Sequence, residues 1–103
     1  MEIKEVRKLL EELDQEKVTF DKHFYRRTGE RPIGEGMIRS FLAKPERLEK
    51  IEYGKEGANR FKIWYKMSRK YSLVLIVEID ISKSLKVVSA WNSDRKWQDK
   101  LKQ

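Results

Sequence analysis

One nine-residue stretch constrains the fold of this chain more than any other. Residues 71–79 read YSLVLIVEI, with apolar side chains at successive positions rather than at alternate ones. A strand of this kind is buried on both faces, so we expect it at the centre of a sheet. The segments that join it to its neighbours are short, which favours antiparallel pairing because a parallel pair needs a longer crossover.

Three further segments have the alternating pattern of strands. They cover residues 48–53, 60–67 and 85–91. Alternation along 60–67 assigns its side chains to two faces. One face is apolar and belongs to the core. The other is basic around a single indole and consists of Arg60, Lys62, Trp64 and Lys66.

The rest of the chain has helical periodicity. Apolar residues three and four positions apart predict helices over 3–16, 21–28 and 37–44, and a short closing helix over 94–103. Asp21 is placed to cap the second helix, and Ser93 or Asp94 to cap the last one. This interpretation makes Trp91 a core residue. The alternative is that Trp91 and Ser93 lie at an edge from which they reach a substrate.

Helices followed by a run of strands are typical of the α+β class. We expect N-terminal helices packed on a four-stranded, mainly antiparallel sheet, with a short C-terminal helix. The 103 residues support one hydrophobic core, so residues 1–103 should form a single domain.

Composition excludes several classes of protein. The absence of cysteine removes disulfides, zinc–thiolate centres and thiol nucleophiles, and a single histidine leaves little for a metal centre. With 40% charged residues, no segment supplies the roughly 20 apolar residues of a membrane span. The N terminus has no apolar segment followed by a cleavage site, and no P-loop or dinucleotide-binding motif is present. We therefore expect a soluble, cytoplasmic protein without metal or cofactor.

The charge of the chain is uneven. Lys and Arg number 24 against 17 Asp and Glu, a net charge of +7. Residues 1–20 hold four basic and six acidic side chains, so the remainder carries +9. This excess favours an anionic partner such as nucleic acid. The alternative is a solvated surface typical of a highly charged, thermophilic protein.

A histidine and several arginines cluster in the second predicted helix and the residues after it. His23 and Arg27 share one helix face, and Lys22 and Arg26 share another. Metal-independent RNA cleavage needs a base for the 2′-hydroxyl proton and cations for the phosphate, which are these residue types. The alternative is that His23 helps to cap the helix and that the arginines are solvated.

The basic stripe of strand 60–67 suggests a second element of the same site. Trp64 could stack a base of single-stranded RNA while Arg60, Lys62 and Lys66 hold phosphates. Alternatively, a helix covers this face, so that Trp64 is core and the lysines form its rim.

Taken together, these segments resemble the small histidine/arginine domains allied to RelE- and BrnT-type toxins. The resemblance covers residues 18–93, with 1–17 as an accessory N-terminal helix and 94–103 as a terminal helix. It rests on His23, Arg26-Arg27, Glu30-Arg31-Pro32-Ile33, Lys44-Pro45 and the strand ending Val87-Val88-Ser89-Ala90-Trp91.

The resemblance implies the barnase, colicin-ribonuclease and RelE fold, in which an antiparallel sheet cradles RNA against N-terminal helices. It also implies a protein antitoxin as a partner. The chain differs from the RelE pattern in having no tyrosine after Tyr71.

The predicted function is metal-independent RNA cleavage of the toxin–antitoxin type. His23 would be the general base, with Arg26, Arg27 and Arg31 as the other catalytic residues. The predicted RNA-binding residues are Lys22, Arg60, Lys62, Trp64 and Lys66. The alternatives are a non-catalytic nucleic-acid-binding module and a protein-interaction domain.

Overall fold

The computed structural model describes residues 1–28, 33–54 and 59–94, with only the backbone for 26–28. Within these ranges the chain forms three α-helices and five strands. The helices are α1 (Ile3–Glu11), α2 (Lys22–Thr28) and α3 (Glu35–Leu42). The strands are β1 (Val18–Phe20), β2 (Leu48–Tyr53), β3 (Arg60–Lys66), β4 (Tyr71–Ile79) and β5 (Leu85–Asp94). The predicted α+β class is confirmed.

The five strands form one mixed sheet in the order β1-β5-β4-β3-β2. The strand with apolar residues on both faces, β4, lies at its centre, as predicted. The prediction of four strands was wrong, because β1 adds a fifth that pairs in parallel with β5. β1 has only three residues, too few for an alternating pattern to be visible. The helices and strands between β1 and β5 supply the long connection that parallel pairing requires.

Several predicted element ends differ from the structure, α3 among them, which spans Glu35–Leu42 rather than 37–44. α1 ends at Glu11 rather than at residue 16, and Gln15–Lys17 forms a single 3₁₀ turn that leads into β1. At the other end, β5 continues to Asp94, so that Ser93 pairs with Ser72 instead of capping a helix. The rest of the predicted closing helix, residues 95–103, lies outside the described residues.

The second helix follows the prediction. α2 begins immediately after Asp21, whose carboxylate accepts the backbone N–H of His23 at 3.3 Å. This is the bond expected of an N-cap, because the first turn of a helix leaves its N–H groups without backbone partners.

All three helices contribute to a hydrophobic cluster on one face of the sheet, which we call the helical face. α1 supplies Val6 and Leu10, α2 supplies Phe24, and α3 supplies Ile38 and Leu42. α1 lies against β2 and α2 against β5. The strands contribute fully buried side chains, among them Phe61, Ile63, Tyr65, Leu73, Leu75, Val77 and Val87.

We call the face of the sheet opposite the helices the open face. A β-bulge in β5 determines which side chains of that strand lie on it. Ile76 pairs with Ser89 and Val77 pairs with Val87, so Val88 is an extra residue in β5. An extra residue reverses the facing of every side chain that follows it. Trp91 therefore lies on the open face rather than beside Val87. Its prediction as a core residue was wrong for this reason.

Candidate nucleic-acid interface

The open face carries a row in which lysines and tryptophans alternate. Lys50 of β2 pairs in register with Trp64 of β3, and Trp64 is linked through Val74 of β4 to Trp91 of β5. The Lys50 ammonium lies 5.0 Å from the centre of the Trp64 ring. The Lys62 ammonium lies 4.9 Å from the Trp64 ring and 5.4 Å from the Trp91 ring. These are cation–π distances. We call Lys50, Trp64, Lys62 and Trp91 the cation–indole row.

The two indoles of this row differ in exposure. Trp64 is only 8% exposed, although it does not belong to the hydrophobic cluster of the helical face. Its neighbours on the open face include the two ammonium groups, which therefore occupy the surroundings in which a base would stack. Trp91 is half-buried. Of the two rings, Trp91 is the one that offers surface to a ligand.

Ion pairs partly neutralise one end of the open face. Glu78 pairs with Arg60, and its other oxygen lies 4.0 Å from the Lys86 ammonium. Lys50 pairs with Glu52 two residues further along β2. A carboxylate that is already bound to a cation reduces the attraction of that cation for a phosphate.

Lys62 and Lys66 differ from these cations. Neither forms a salt bridge with any residue in the ranges 1–28, 33–54 and 59–94. Contact with an indole leaves the charge of Lys62 in place, because the ring supplies a quadrupole and not an anion. These two ammonium groups are therefore the ones best suited to bind an anion.

Two buried serines lie on the open face, Ser72 beside Lys66 and Ser89 in the row of Lys62. Ser72 is fully buried and donates a hydrogen bond of 2.9 Å to the Glu49 carboxylate. Ser89, in the same register row as Lys62, is 8% exposed, and its hydroxyl has no hydrogen-bond partner among the described residues. A buried hydroxyl without a partner costs about 1–3 kcal/mol, which a ligand oxygen within reach would recover.

The structure separates the predicted site residues into two groups. Arg60, Lys62, Trp64 and Lys66 lie together on β3. Lys22 and His23 are exposed residues of α2, whose Phe24 packs in the cluster of the helical face. Arg26 and Arg27 also belong to α2, but their side chains lie outside the described residues, as does Arg31. His23 therefore belongs to a helix that packs on the helical face, whereas Trp64 lies on the open face.

Sequence reasoning missed two members of the cation–indole row. Lys50 was not singled out because its contact with Trp64 depends on the pairing of β2 with β3. Trp91 was assigned to the core, and the bulge that turns it to the open face is visible only in the pairing of β5 with β4.

No protein-family model, curated protein or solved structure matches the chain. The resemblance to RelE- and BrnT-type toxins therefore stays a prediction from the residue pattern. Across the described ranges, no helix has the length and apolar character to cross a bilayer. In the same part of the chain, no three His, Asp or Glu side chains are grouped in a way that could hold a metal ion.

Proposed function

We propose that the open face binds a single-stranded nucleic acid, and RNA in particular. The observation that carries this proposal is the cation–indole row, in which charged ammonium groups and aromatic rings lie side by side on a sheet surface. Proteins that bind single strands combine these two elements, because cations attract the phosphates and aromatic rings stack on the bases.

The arrangement favours a single strand over a duplex. Trp91 is the partly exposed ring of the row, and an unpaired base is free to stack on it. The bases of a duplex are already stacked and paired, so they present no free ring face. Lys62 and Lys66 lie four residues apart on β3, a span of about 13 Å, and can hold phosphates on either side of that base.

The test compares salt dependence in matched variants. A labelled twelve-nucleotide RNA is titrated with protein at several salt concentrations, and binding is followed by fluorescence anisotropy. Each lysine that neutralises a phosphate contributes about 0.7 to the slope of log affinity against log salt. We expect the double variant Lys62→Ala/Lys66→Ala to have a slope that is about 1.4 shallower than the wild-type slope.

The control is Lys4→Ala/Lys8→Ala, which removes the same charge from exposed positions of α1 on the other side of the sheet. Its slope should stay near the wild-type value. Equal losses in the two double variants would show that only net charge matters. A wild-type affinity that does not respond to salt would refute the proposal, and tighter binding of a duplex would refute the preference for single strands.

A second candidate function is RNA cleavage with His23 as the general base. It is favoured by the position of α2, which carries exposed His23 and lies against β5, the strand that holds Trp91. In this hypothesis the RNA extends from the open face past the sheet edge to α2. We expect cleavage of a single-stranded RNA in EDTA, and its loss in His23→Ala. Cleavage that persists in the variant would exclude His23 as the base.

A further inference from the structure

Trp64 has an unusual setting for an aromatic residue on a binding face. It is 8% exposed, yet two lysines of the open face, Lys50 and Lys62, lie over its ring. Both ammonium groups lie within about 5 Å of one ring centre, so they are no more than about 10 Å from each other. One indole thus contacts two cations.

Ordering lysines in advance has a consequence for binding. A lysine side chain is long and flexible, and it loses rotamer freedom when it contacts a phosphate. A side chain that is already ordered in the free protein loses less of that freedom when the ligand arrives. Lys62 is held on both sides, by Trp64 and by Trp91, and Lys50 is held by Trp64 and by its ion pair with Glu52.

We propose that Trp64 is a positioning residue: its ring lies between Lys50 and Lys62, orders the ammonium group of Lys62 for phosphate binding, and does not itself contact the nucleic acid. This inference rests on the proposed function of the open face. In this proposal the two indoles have different roles: Trp91 stacks on a base, and Trp64 positions the lysine.

A positioning role differs from a charge or a stacking role in two measurable ways. Removing the ring leaves both lysines charged, so the number of phosphates neutralised, and with it the salt slope, stays the same. The affinity falls, because Lys62 must now be ordered on binding. For two cation–π contacts at a partly exposed site we expect a loss of about tenfold in Trp64→Leu. Trp64→Phe, which retains a ring, should lose about threefold or less.

The first experiment examines the free protein by NMR. Ring currents shift the side-chain protons next to an indole, so the ε-CH₂ protons of Lys50 and Lys62 should be displaced upfield in the wild type. In Trp64→Leu the Lys50 displacement should vanish and that of Lys62 should persist in part through Trp91. Unshifted lysine protons in the wild type would overturn the inference whether or not the protein binds RNA.

The second experiment uses tryptophan fluorescence in a Trp97→Phe background. With Trp91 as the single tryptophan, added RNA should quench the emission. With Trp64 as the single tryptophan, in Trp91→Phe/Trp97→Phe, the quenching should be absent or several-fold smaller at an RNA concentration that saturates this variant by fluorescence anisotropy. Strong quenching of Trp64 by RNA would show direct contact and overturn the positioning role.

Controls separate the possible causes of failure. Circular dichroism and thermal melting establish whether each variant is folded. If Trp64→Leu does not fold, Trp64→Phe still tests the proposal. Trp64→Leu with wild-type affinity overturns the positioning role while leaving the proposed function intact. Absence of RNA binding by the wild type overturns the proposed function, whereas the NMR experiment still decides whether Trp64 orders Lys62.

Discussion

The two faces of the sheet bury their side chains in different ways. On the helical face, Val77 of β4 is fully buried among apolar side chains from three helices. On the open face, Val74 of the same strand is 1% exposed, yet its neighbours in the ladder are Trp64 and Trp91, flanked by lysines. Burial by packed helices gives a rigid core. On the open face the ammonium groups of lysines lie over the indole of Trp64, so charge stands directly beside a buried ring.

This contrast teaches that low exposure alone does not identify a core. Trp64 and Phe61 are both buried residues of β3. Phe61 belongs to the cluster that joins helices to sheet, whereas Trp64 has cations around its ring. The first arrangement contributes to stability and the second makes a charged surface that can bind an anion.

The largest expected effect comes from a matched pair of valines. Val77→Ala leaves a cavity that helices on one side and the sheet on the other cannot close, so we expect a loss of about 2–3 kcal/mol in the free energy of unfolding. Val74→Ala should cost about 1 kcal/mol, because lysine and tryptophan side chains can move into the space. Urea denaturation measures both. Equal losses would mean that the open face is packed as rigidly as the helical face.

The helical face should also make stability fall at high pH. Burial raises the pKa of the Tyr65 hydroxyl well above its ordinary value, and that hydroxyl has no hydrogen-bond partner among the described residues. Above pH 10 the unfolded chain loses this proton while the folded protein keeps it, so stability decreases as the pH rises, by up to about 1.4 kcal/mol per pH unit.

Tyr65→Phe tests this expectation. It should change stability little at pH 7 and should flatten the decrease above pH 10. Denaturation of wild type and variant at pH 8 to 11 measures the difference, and Tyr53→Phe, at a tyrosine that is 57% exposed, is the control. A variant that loses stability as steeply as the wild type would contradict the assignment to Tyr65.

Glu78→Gln should have the smallest effect on stability. Unlike the lysine substitutions, it should strengthen RNA binding. Glu78 pairs with Arg60 and Lys86 near the surface, so its neutralisation should cost less than about 1 kcal/mol. It should strengthen RNA binding several-fold, because the substitution removes a negative charge next to these two cations. Glu12→Gln on the exposed side of the N-terminal segment is the control of equal charge, and anisotropy titrations compare the two. Weaker binding by Glu78→Gln would contradict the role of the open face.

Much of the fold could be predicted because its signals are local. The apolar stretch of β4, the alternation of β3 and the cap at Asp21 each depend on residues close together in the chain. β1 was missed because three residues are too few to show an alternating pattern. Its pairing with β5 also depends on contacts between residues more than sixty positions apart in the chain.

The candidate site could be predicted only in part. The basic stripe of β3 follows from alternation alone. The partners of Trp64 do not, because Lys50 reaches it through the register of β2, and Trp91 reaches Lys62 only because Val88 is extra in β5. Register and bulges arise from the pairing of whole strands, which a pattern within one strand does not contain. The placement of His23 away from Trp64 likewise depends on how α2 packs on the sheet.

Because of the bulge at Val88, a one-residue insertion or deletion in β5 changes which face of the sheet Trp91 and Ser93 occupy. A lineage that lost this one codon would turn Trp91 and Ser93 towards the helices together, and a lineage that regained it would turn them back. No single substitution has that effect, because a substitution changes a side chain without changing the side on which it lies. We therefore expect relatives that share the cation–indole row to share the length of this strand, even where the residues along it differ.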